Sequence, residues 1–255
     1  MLGMLAAGGY EPGREADGER RLPENEGSPP MPAPLAIFDL DGTLIDTAPD
    51  LIASLNHAIA PAGLAPYGIE DTKILVGRGV RVMIERAFEH RDRTLDEDTF
   101  DACFERFSEH YRAGIPGESR PYPGIVEALD RLKSTGFDLA VCTNKRESFT
   151  MPLLEALGLT GYFTAITGGD TFAFRKPDPR HITETIARAG GDVANAVMVG
   201  DSSNDIDSAK GAGVATIAVT FGYADRPVAE MAADRTISDY AALTSDLALA
   251  VIARR

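Results

Sequence analysis

The sequence of 255 residues contains no tryptophan and two cysteines, Cys103 and Cys142, which are too far apart to form a closely spaced metal-binding motif. The four histidines are scattered, and none is predicted to bind a metal ion. No apolar run approaches the roughly 20 residues that a membrane-spanning helix needs. We therefore expect no membrane partner. Because the two cysteines form no metal-binding motif, we expect both thiols to pack as small hydrophobic side chains in a reducing cytoplasm.

Basic residues are also in deficit. Lysine and arginine number 25 against 39 aspartates and glutamates, which gives a formal net charge of -14 and a pI near 4.7. This charge argues against nucleic acid or an anionic membrane as the main partner. A small anionic substrate remains compatible, because one local cation can reverse the field inside a cleft. No pattern in the sequence indicates an oligomeric state.

Residues 1–33 differ in composition from the rest of the chain. They are rich in glycine, proline and glutamate and carry six acids and three bases, so the net charge without them is about -11. This composition predicts a disordered extension. Residues 1–7 are too short and too poor in positive charge for a secretory signal, and Met31 is an alternative start just before the first predicted strand.

The middle of the chain predicts an inserted helical domain. With 44% hydrophobic and 25% charged residues, the composition is that of a globular protein with a large core or a core and a smaller companion. After a buried strand at 35–38, helical patterns follow at 47–60, 79–90 and 96–113, with no strand signal until about 118. We therefore predict a helical cap at 47–118, and a core at 34–46 and 119–255.

From residue 122 onward, helices and strands alternate. Such alternation indicates an α/β fold with a Rossmann-like parallel sheet, in which ligands bind beyond the carboxyl ends of the strands. The predicted strands are 137–142, 163–167, 196–199 and 214–219, and the predicted helices are 124–134, 146–157, 205–212, one that starts at 178, and two near 228 and 239.

Asp39 and Asp41 follow the first predicted strand and precede Gly42. If the extended backbone persists, the two carboxylates share one face, where their repulsion amounts to ~4 kcal/mol at ~4 Å. Such crowding is typical of a catalytic pair or of a site that binds a cation. A surface turn is the alternative, because aspartate, glycine and threonine are ordinary turn residues.

Two further groups follow later strands. Thr143 and Asn144 come after the strand at 137–142, and a hydroxyl and an amide there suit phosphate oxygens; the alternative is a cap for the next helix. Lys176 precedes a helix and can offset the charge of a phosphate that approaches two carboxylates. A solvated surface lysine is the alternative, and for Arg175 a surface position has equal weight.

Asp201 and Asp205 are candidates at the end of a later predicted strand. Asp201 follows the strand at 196–199 and can complete an oxygen-rich site for magnesium with Asp39 and the main-chain oxygen of Asp41. Asp205, about one helical turn later, would hold a metal-bound water or orient Lys176. The alternative is a helix N-cap by Ser202 or Ser203 beside an incidental acid.

These elements, in this order, resemble the motifs of the haloacid dehalogenase superfamily, and the resemblance covers about residues 34–255. Within the superfamily, the segments 168–171, 176–179, 200–213 and 219–223 are similar to the phosphoglycolate phosphatase branch. The resemblance implies a HAD-like core with an all-helical cap. It also implies roles for the quoted residues: a nucleophile (Asp39), a general acid and base (Asp41), phosphate-binding groups (Thr143 and Asn144), a charge-offsetting cation (Lys176) and acids around Mg²⁺ (Asp201 and Asp205).

The resemblance further implies magnesium-dependent hydrolysis of a small phosphate monoester, 2-phosphoglycolate above all, through an aspartyl phosphate. The cap would exclude water and large substrates. Between two glycines of the cap, Arg78 is a candidate for binding the substrate carboxylate, with an exposed turn as the equal alternative.

Rival functions remain open at this point. A hydrolytic dehalogenase shares the nucleophile, but that branch lacks an acid equivalent to Asp41. A sugar-phosphate mutase or a pyrophosphatase would keep both aspartates, and only substrate tests separate them. A phospholigand-binding or scaffold protein without catalysis is the alternative outside enzymes.

Overall fold

The computed structural model describes Gly9 and residues 32–255. The predictions for the N-terminal extension, including the alternative start at Met31, therefore fall almost entirely outside the described residues. Numbered along the chain, the strands are β1 (Leu35–Phe38), β2 (Ile45–Asp46), β3 (Arg120–Pro121), β4 (Asp138–Cys142), β5 (Ala165–Thr167), β6 (Ala196–Gly200), β7 (Ala215–Val219) and β8 (Arg235–Ile237). The helices are α1 (Ala48–Ile59), α2 (Thr72–Leu75), α3 (Val80–Glu89), α4 (Glu97–Gly114), α5 (Ile125–Ser134), α6 (Glu147–Ala156), α7 (Pro179–Ala189), α8 (Ser203–Gly211) and α9 (Ser245–Ile252).

Six of the strands form one parallel sheet in the order β5-β4-β1-β6-β7-β8. Strand β1 lies between β4 and β6, and Phe38 at its end is in register with Val141 and Val199. The strands read as short apolar runs because helices cover both faces of the sheet. The carboxyl ends of β1, β4 and β6 therefore meet at the middle of one edge.

Each face of the sheet has its own apolar core. On one face, buried side chains of α5 and α9 such as Leu129 and Val251 pack against the strands. On the other face, α7 and α8 contribute Ile182 and Ala209. This layering is the Rossmann-like arrangement predicted from the alternating pattern, and that prediction of fold class is confirmed.

Helices α1–α4 and their connections, called the cap below, lie between β2 and β3 in the chain. They pack around a third apolar cluster, which includes Leu55, Ile84 and Phe107. Where the chain leaves and re-enters the core, β2 and β3 pair antiparallel. Next to them, the Asp50 carboxylate accepts hydrogen bonds from the amides of Glu118 and Ser119, at 3.0 and 2.8 Å. The segment that enters the cap and the segment that leaves it are thus held together by this strand pairing and these hydrogen bonds.

Some short elements differ from the prediction. The segments near 228 and 239 form 3₁₀ turns at Val228–Met231 and Tyr240–Ala242 rather than α-helices. Strands β2, β3 and β8 have two or three residues each, too few to produce a recognisable alternation, and they were not predicted. Both cysteines are buried and free. Among the described helices, none combines the length and the apolar character that crossing a bilayer requires.

Candidate active site

Three of the predicted residues directly follow the adjacent strands at the middle of the sheet. Asp39 follows β1, Thr143 follows β4 and Asp201 follows β6. All three are buried, with at most 7% of their surface exposed. The amide of Asp39 still donates to the carbonyl of Val199 at 3.0 Å, so the sheet pairing itself fixes the backbone of the predicted nucleophile.

Lys176 lies beneath Asp39 with its hydrogen-bonding capacity filled. Its Nζ donates to Oδ1 of Asp39 at 2.9 Å, to Oδ1 of Asp205 at 2.6 Å and to the carbonyl of Cys142 at 2.6 Å. Burial lowers the pKa of Lys176, but the carboxylates of Asp205 and Asp39 raise it more, so its pKa lies above the usual value. The ammonium is therefore held charged beside the Asp39 carboxylate.

The carboxylates of Asp39, Asp201 and Asp205 form a compact cluster, with one oxygen of each lying within 4.8 Å of the others. The pKa of Asp39 is raised to about 7, because burial and the charge of Asp205 together outweigh the lowering effect of Lys176. Burial likewise raises the pKa of Asp201, and the neighbouring Asp205 and Asp39 add to this rise. Three acids so close together need more positive charge than Lys176 supplies.

This cluster fits an oxygen-ligated divalent cation. When all four are ionised, the buried or nearly buried acids at 39, 41, 201 and 205 exceed the two ammonium groups at 145 and 176 by two negative charges, which a divalent cation would offset. Carboxylate oxygens are the ligands that hard divalent cations prefer. A side chain at Gly42 would overlap Oδ2 of Asp201, so glycine is required where this turn approaches the cluster.

Asp205 combines two roles that the sequence left as alternatives. Its Oδ2 accepts hydrogen bonds from the amide and the hydroxyl of Ser202, at 3.0 and 2.7 Å, in a capping box at the start of α8. Its Oδ1 accepts from Lys176. Because both oxygens are occupied by the protein, Asp205 is better suited to orient Lys176 than to bind a metal ion directly.

Asp41 is held by a lysine that the sequence analysis did not single out. The Nζ of Lys145 lies 2.9 Å from Oδ1 and 3.3 Å from Oδ2 of Asp41, and the hydroxyl of Thr47 donates to Oδ1 at 2.7 Å. Only 3% of the Lys145 side chain is exposed. Burial lowers the pKa of Lys145, but Asp41 outweighs this effect and raises the pKa above its usual value. In the sequence, the position of Lys145 directly after the candidates Thr143 and Asn144 was the feature that could have indicated a role in the site.

The two phosphate-binding candidates, Thr143 and Asn144, differ in whether they have a hydrogen-bond donor left for a phosphate. The Thr143 hydroxyl accepts from the amide of Lys145 at 3.2 Å, which leaves its own proton available to a ligand. The side-chain amide of Asn144 donates to the carbonyls of Gly77, at 3.1 Å, and Lys176, at 2.9 Å. Both amide protons are thus committed, and Asn144 here connects the cap to the core rather than presenting donors to a phosphate.

A small cleft separates the cap from Asp39 and Asp41. Its volume is about 30 Å³, so the cleft is narrow. Because its lining comes from both the cap and the core, an ester bound there would contact both parts. The described lining residues are mostly apolar or backbone atoms, and Lys145 is the cation among them: Asp39, Asp41, Leu51, Val76, Gly77, Gly79, Val80, Met83, Phe107, Thr143, Asn144, Lys145 and Phe149.

The structure does not bring Arg78 to this cleft. The backbone at Gly77 and Gly79 faces the cleft, while Arg78 between them is exposed and absent from its lining. The expected contact between Arg78 and a substrate carboxylate is therefore not provided by this arrangement. Arg175 is also exposed, which agrees with the surface position given as its alternative.

A parallel α/β core, acids at the ends of adjacent strands and a helical cap inserted after the first strand together define a capped α/β hydrolase with an aspartate-centred site. The chain belongs to the haloacid dehalogenase-like hydrolase family, whose family model matches residues 36–219.

Similar proteins support this assignment. The chain is 62% identical to a phosphoglycolate phosphatase of Agrobacterium fabrum over 215 residues, which are 84% of this chain and 92% of the relative. It is 55% identical to a phosphoglycolate phosphatase of Mesorhizobium japonicum, covering 86% of this chain and 96% of the relative. Among solved structures, a predicted phosphoglycolate phosphatase from Haemophilus somnus superposes with a TM-score of 0.77 at 33% identity, covering 82% of this chain and 95% of that one.

Proposed function

We propose that the protein is a magnesium-dependent phosphatase that hydrolyses 2-phosphoglycolate to glycolate and phosphate through an aspartyl phosphate. The observation that carries this proposal is the buried contact of 2.9 Å between the Lys176 ammonium and the Asp39 carboxylate, which lines the narrow cleft. The names of the similar proteins from Agrobacterium and Mesorhizobium support the choice of substrate.

In the first step, an Asp39 oxygen forms a bond to phosphorus as the bond from phosphorus to the ester oxygen breaks. Asp41 gives its proton to that departing oxygen, which leaves as the hydroxyl of glycolate. In the second step, Asp41 takes a proton from water as the water oxygen attacks phosphorus. The bond from phosphorus to Asp39 then breaks, and phosphate is released. Asp41 thus acts as the acid and afterwards as the base.

The remaining residues position the phosphate and offset its charge. Lys176 lies against Asp39 from below, and the Thr143 hydroxyl has a proton to donate to a phosphate oxygen. Asp39, Asp201 and the main-chain oxygen of Asp41 would hold Mg²⁺, with Asp205 orienting Lys176. The bound ion would supply positive charge against the phosphate and the crowded acids.

The cap at 47–118 would exclude water and bulky esters from the core at 34–46 and 119–255. Its apolar wall and the small cleft favour a small ester over a phosphoprotein. The two free, buried cysteines are compatible with the reducing cytoplasm that we propose as its location.

The test is a substrate panel scored by kcat/KM in the presence of Mg²⁺. The panel comprises 2-phosphoglycolate, sugar phosphates, nucleotides and pyrophosphate. We expect 2-phosphoglycolate to lead, and a higher kcat/KM for pyrophosphate or a sugar phosphate would replace the proposed substrate. The presence of Asp41 disfavours a dehalogenase, and release of phosphate without an activating bisphosphate would disfavour a mutase.

The aspartyl phosphate itself is tested with Asp39→Asn. This variant keeps the shape of the side chain but removes the nucleophilic oxygen, so we expect turnover of 4-nitrophenyl phosphate to be lost while the fold persists. Equal turnover in the variant and in the original protein would refute the assignment of the nucleophile.

A further inference from the structure

Lys145 is the cation among the described residues that line the cleft. Lys176 lies deeper, and its three ammonium protons already meet Asp39, Asp205 and the carbonyl of Cys142. Lys176 therefore has no proton left for a second anionic group of a substrate. A substrate that carries a carboxylate as well as a phosphate needs another positive partner inside the cleft.

Lys145 has hydrogen-bonding capacity left. Its Nζ meets one carboxylate, that of Asp41, and lies 4.5 Å from the centre of the Tyr111 ring. An ammonium has three protons, and two of them can serve the two hydrogen bonds to Asp41. The third has the Tyr111 ring as its neighbour, and a carboxylate that enters beside Asp41 would be a stronger partner for it than the ring.

A second polar group lies beside this ammonium. The Tyr111 hydroxyl is buried and has no hydrogen-bond partner among the described residues. A buried hydroxyl without a partner is costly, so such groups commonly mark a place where a ligand completes the bonding. Lys145 comes from the core and Tyr111 from α4 of the cap, so a ligand held by both would also join the two parts.

We propose that Lys145, assisted by the Tyr111 hydroxyl, recognises the carboxylate of the substrate. This inference rests on the proposed function and specifies how the site selects its substrate. In 2-phosphoglycolate, a single methylene separates the ester oxygen from the carboxylate carbon. The ester oxygen must approach Asp41 to receive its proton, so the carboxylate arrives next to the ammonium that already contacts Asp41.

The apolar remainder of the lining strengthens the selection. Leu51, Met83 and Phe107 offer no group that can pair with a carboxylate, and they exclude the water that would otherwise solvate it. In such surroundings an unpaired anion is strongly disfavoured, whereas a paired one is accommodated. Specificity for an acidic ester would thus depend on one ammonium group.

The test compares two esters that differ only in this group: 2-phosphoglycolate, and ethyl phosphate, in which a methyl group replaces the carboxylate. The measured quantity is the ratio of kcat/KM for the two esters. Any general damage to Asp41 or to the fold lowers both values and cancels in the ratio. We expect Lys145→Met to lower the ratio by about 30-fold or more, as for the loss of a buried charge pair. Lys145→Arg should retain most of the ratio, and Tyr111→Phe should lower it by about three- to tenfold.

Arg78→Met is the matched control, because Arg78 is the exposed cation of the cap loop. We expect its ratio to equal that of the original protein. An unchanged ratio in Lys145→Met would overturn the inference. So would a ratio that collapses in Arg78→Met while Lys145→Met preserves it.

Calorimetry separates this inference from the proposed function. 3-Phosphonopropionate, which has a methylene in place of the ester oxygen, and propylphosphonate, which also lacks the carboxylate, are titrated into the magnesium-loaded protein. We expect tighter binding of 3-phosphonopropionate, and we expect Lys145→Met to abolish this preference. If the original protein shows the preference but does not hydrolyse 2-phosphoglycolate, the proposed function fails while the inference stands. Equal binding of both compounds by the original protein would refute the inference even if phosphoglycolate is hydrolysed.

Discussion

The backbone amide of Tyr223 donates a hydrogen bond of 2.6 Å to Oδ2 of Asp201. The phenol oxygen of the same tyrosine accepts hydrogen bonds from the amides of Thr47 and Ala48, at 2.7 and 2.9 Å, and its hydroxyl donates to Asp46. One residue therefore touches both the acid cluster and the start of α1. The start of the cap is thus connected to the candidate metal site through a single residue.

Tyr223→Phe should weaken this connection at the start of α1 without removing the amide that contacts Asp201. Two partly buried amides lose their acceptor, so we expect the free energy of unfolding to fall by about 1–3 kcal/mol. Urea unfolding measures the change. Tyr162→Phe is the matched control, because its hydroxyl bonds to Asp130 at the surface, and a loss below about 0.5 kcal/mol is expected there. Equal losses in the two variants would contradict the role of Tyr223.

Asn204→Ala should weaken the closed position of the cap. The carbonyl of Gly77 accepts hydrogen bonds from the side-chain amides of Asn144, at 3.1 Å, and Asn204, at 3.3 Å. With one of these bonds lost, we expect faster hydrogen exchange of the amides at 76–80 and a cost of about 0.5–1.5 kcal/mol in stability. Asn195→Ala serves as the control, since Asn195 bonds to the carbonyl of Pro32 instead, and unchanged exchange at 76–80 is expected. Faster exchange in both variants would argue against a local effect.

Asp201→Asn should make the protein insensitive to Mg²⁺. Asp201 bonds to the Thr43 hydroxyl and the Tyr223 amide, and none of its partners in the described part of the chain is a cation. Without metal, removal of its charge relieves repulsion in the cluster, so we expect the variant to be more stable than the original protein by about 1–2 kcal/mol.

Thermal unfolding with and without Mg²⁺ completes this test. At 100 times its dissociation constant, the ion should stabilise the original protein by about 2.7 kcal/mol and the variant not at all. Asp207→Asn, an exposed acid of α8 paired with Arg226, should keep the full magnesium response. An undiminished response in Asp201→Asn would contradict the assignment of the cluster as a metal site.

His181 should make stability depend on pH. It is fully buried, and burial, followed by the charge of Lys176, lowers its pKa to about 3, although the carbonyl of Gly168 and the charge of Asp178 act in the opposite direction. The unfolded chain takes up a proton below about pH 6.5, whereas the folded protein resists protonation down to about pH 3. Stability from this group is therefore complete above pH 6.5 and is lost as the pH falls towards 3.

His181→Asn removes this titration and retains an acceptor near the position of Nδ1, which receives the amide of Lys176 at 3.3 Å. Between pH 7 and pH 5.5, we expect the free energy of unfolding to fall by about 1 kcal/mol more in the original protein than in the variant. Urea unfolding at the two pH values gives this difference. Identical pH dependences would show that His181 is not held neutral.

The positions of Asp39, Thr143 and Asp201 could be predicted because each directly follows a strand, and the ends of neighbouring parallel strands meet at one edge. The burial of Lys145 could not be predicted in this way. It depends on Tyr111 of α4, which packs over the ammonium through a tertiary contact that no local pattern encodes.

At Arg78, the structure agrees with the exposed turn that was the equal alternative. The flanking glycines correctly indicated a segment that approaches the core, because a side chain at Gly79 would press on the carbonyl of Asn144 at 3.2 Å. The close approach, however, is made by the backbone, and the arginine between the glycines is exposed. Sequence spacing identified the loop but not the direction of its side chain. Strand β8 was not predicted, because a three-residue edge strand is too short to show an alternation of apolar and polar residues.

The narrow cleft of about 30 Å³ also has a kinetic consequence. The helices of the cap cover Asp39 and Asp41 and leave only this narrow space, so we expect each catalytic cycle to include an excursion of the cap away from the sheet edge. The maximal turnover number therefore has a mechanical ceiling, namely the frequency of that excursion. Chemistry at Asp39 that was faster than this frequency would not increase the rate.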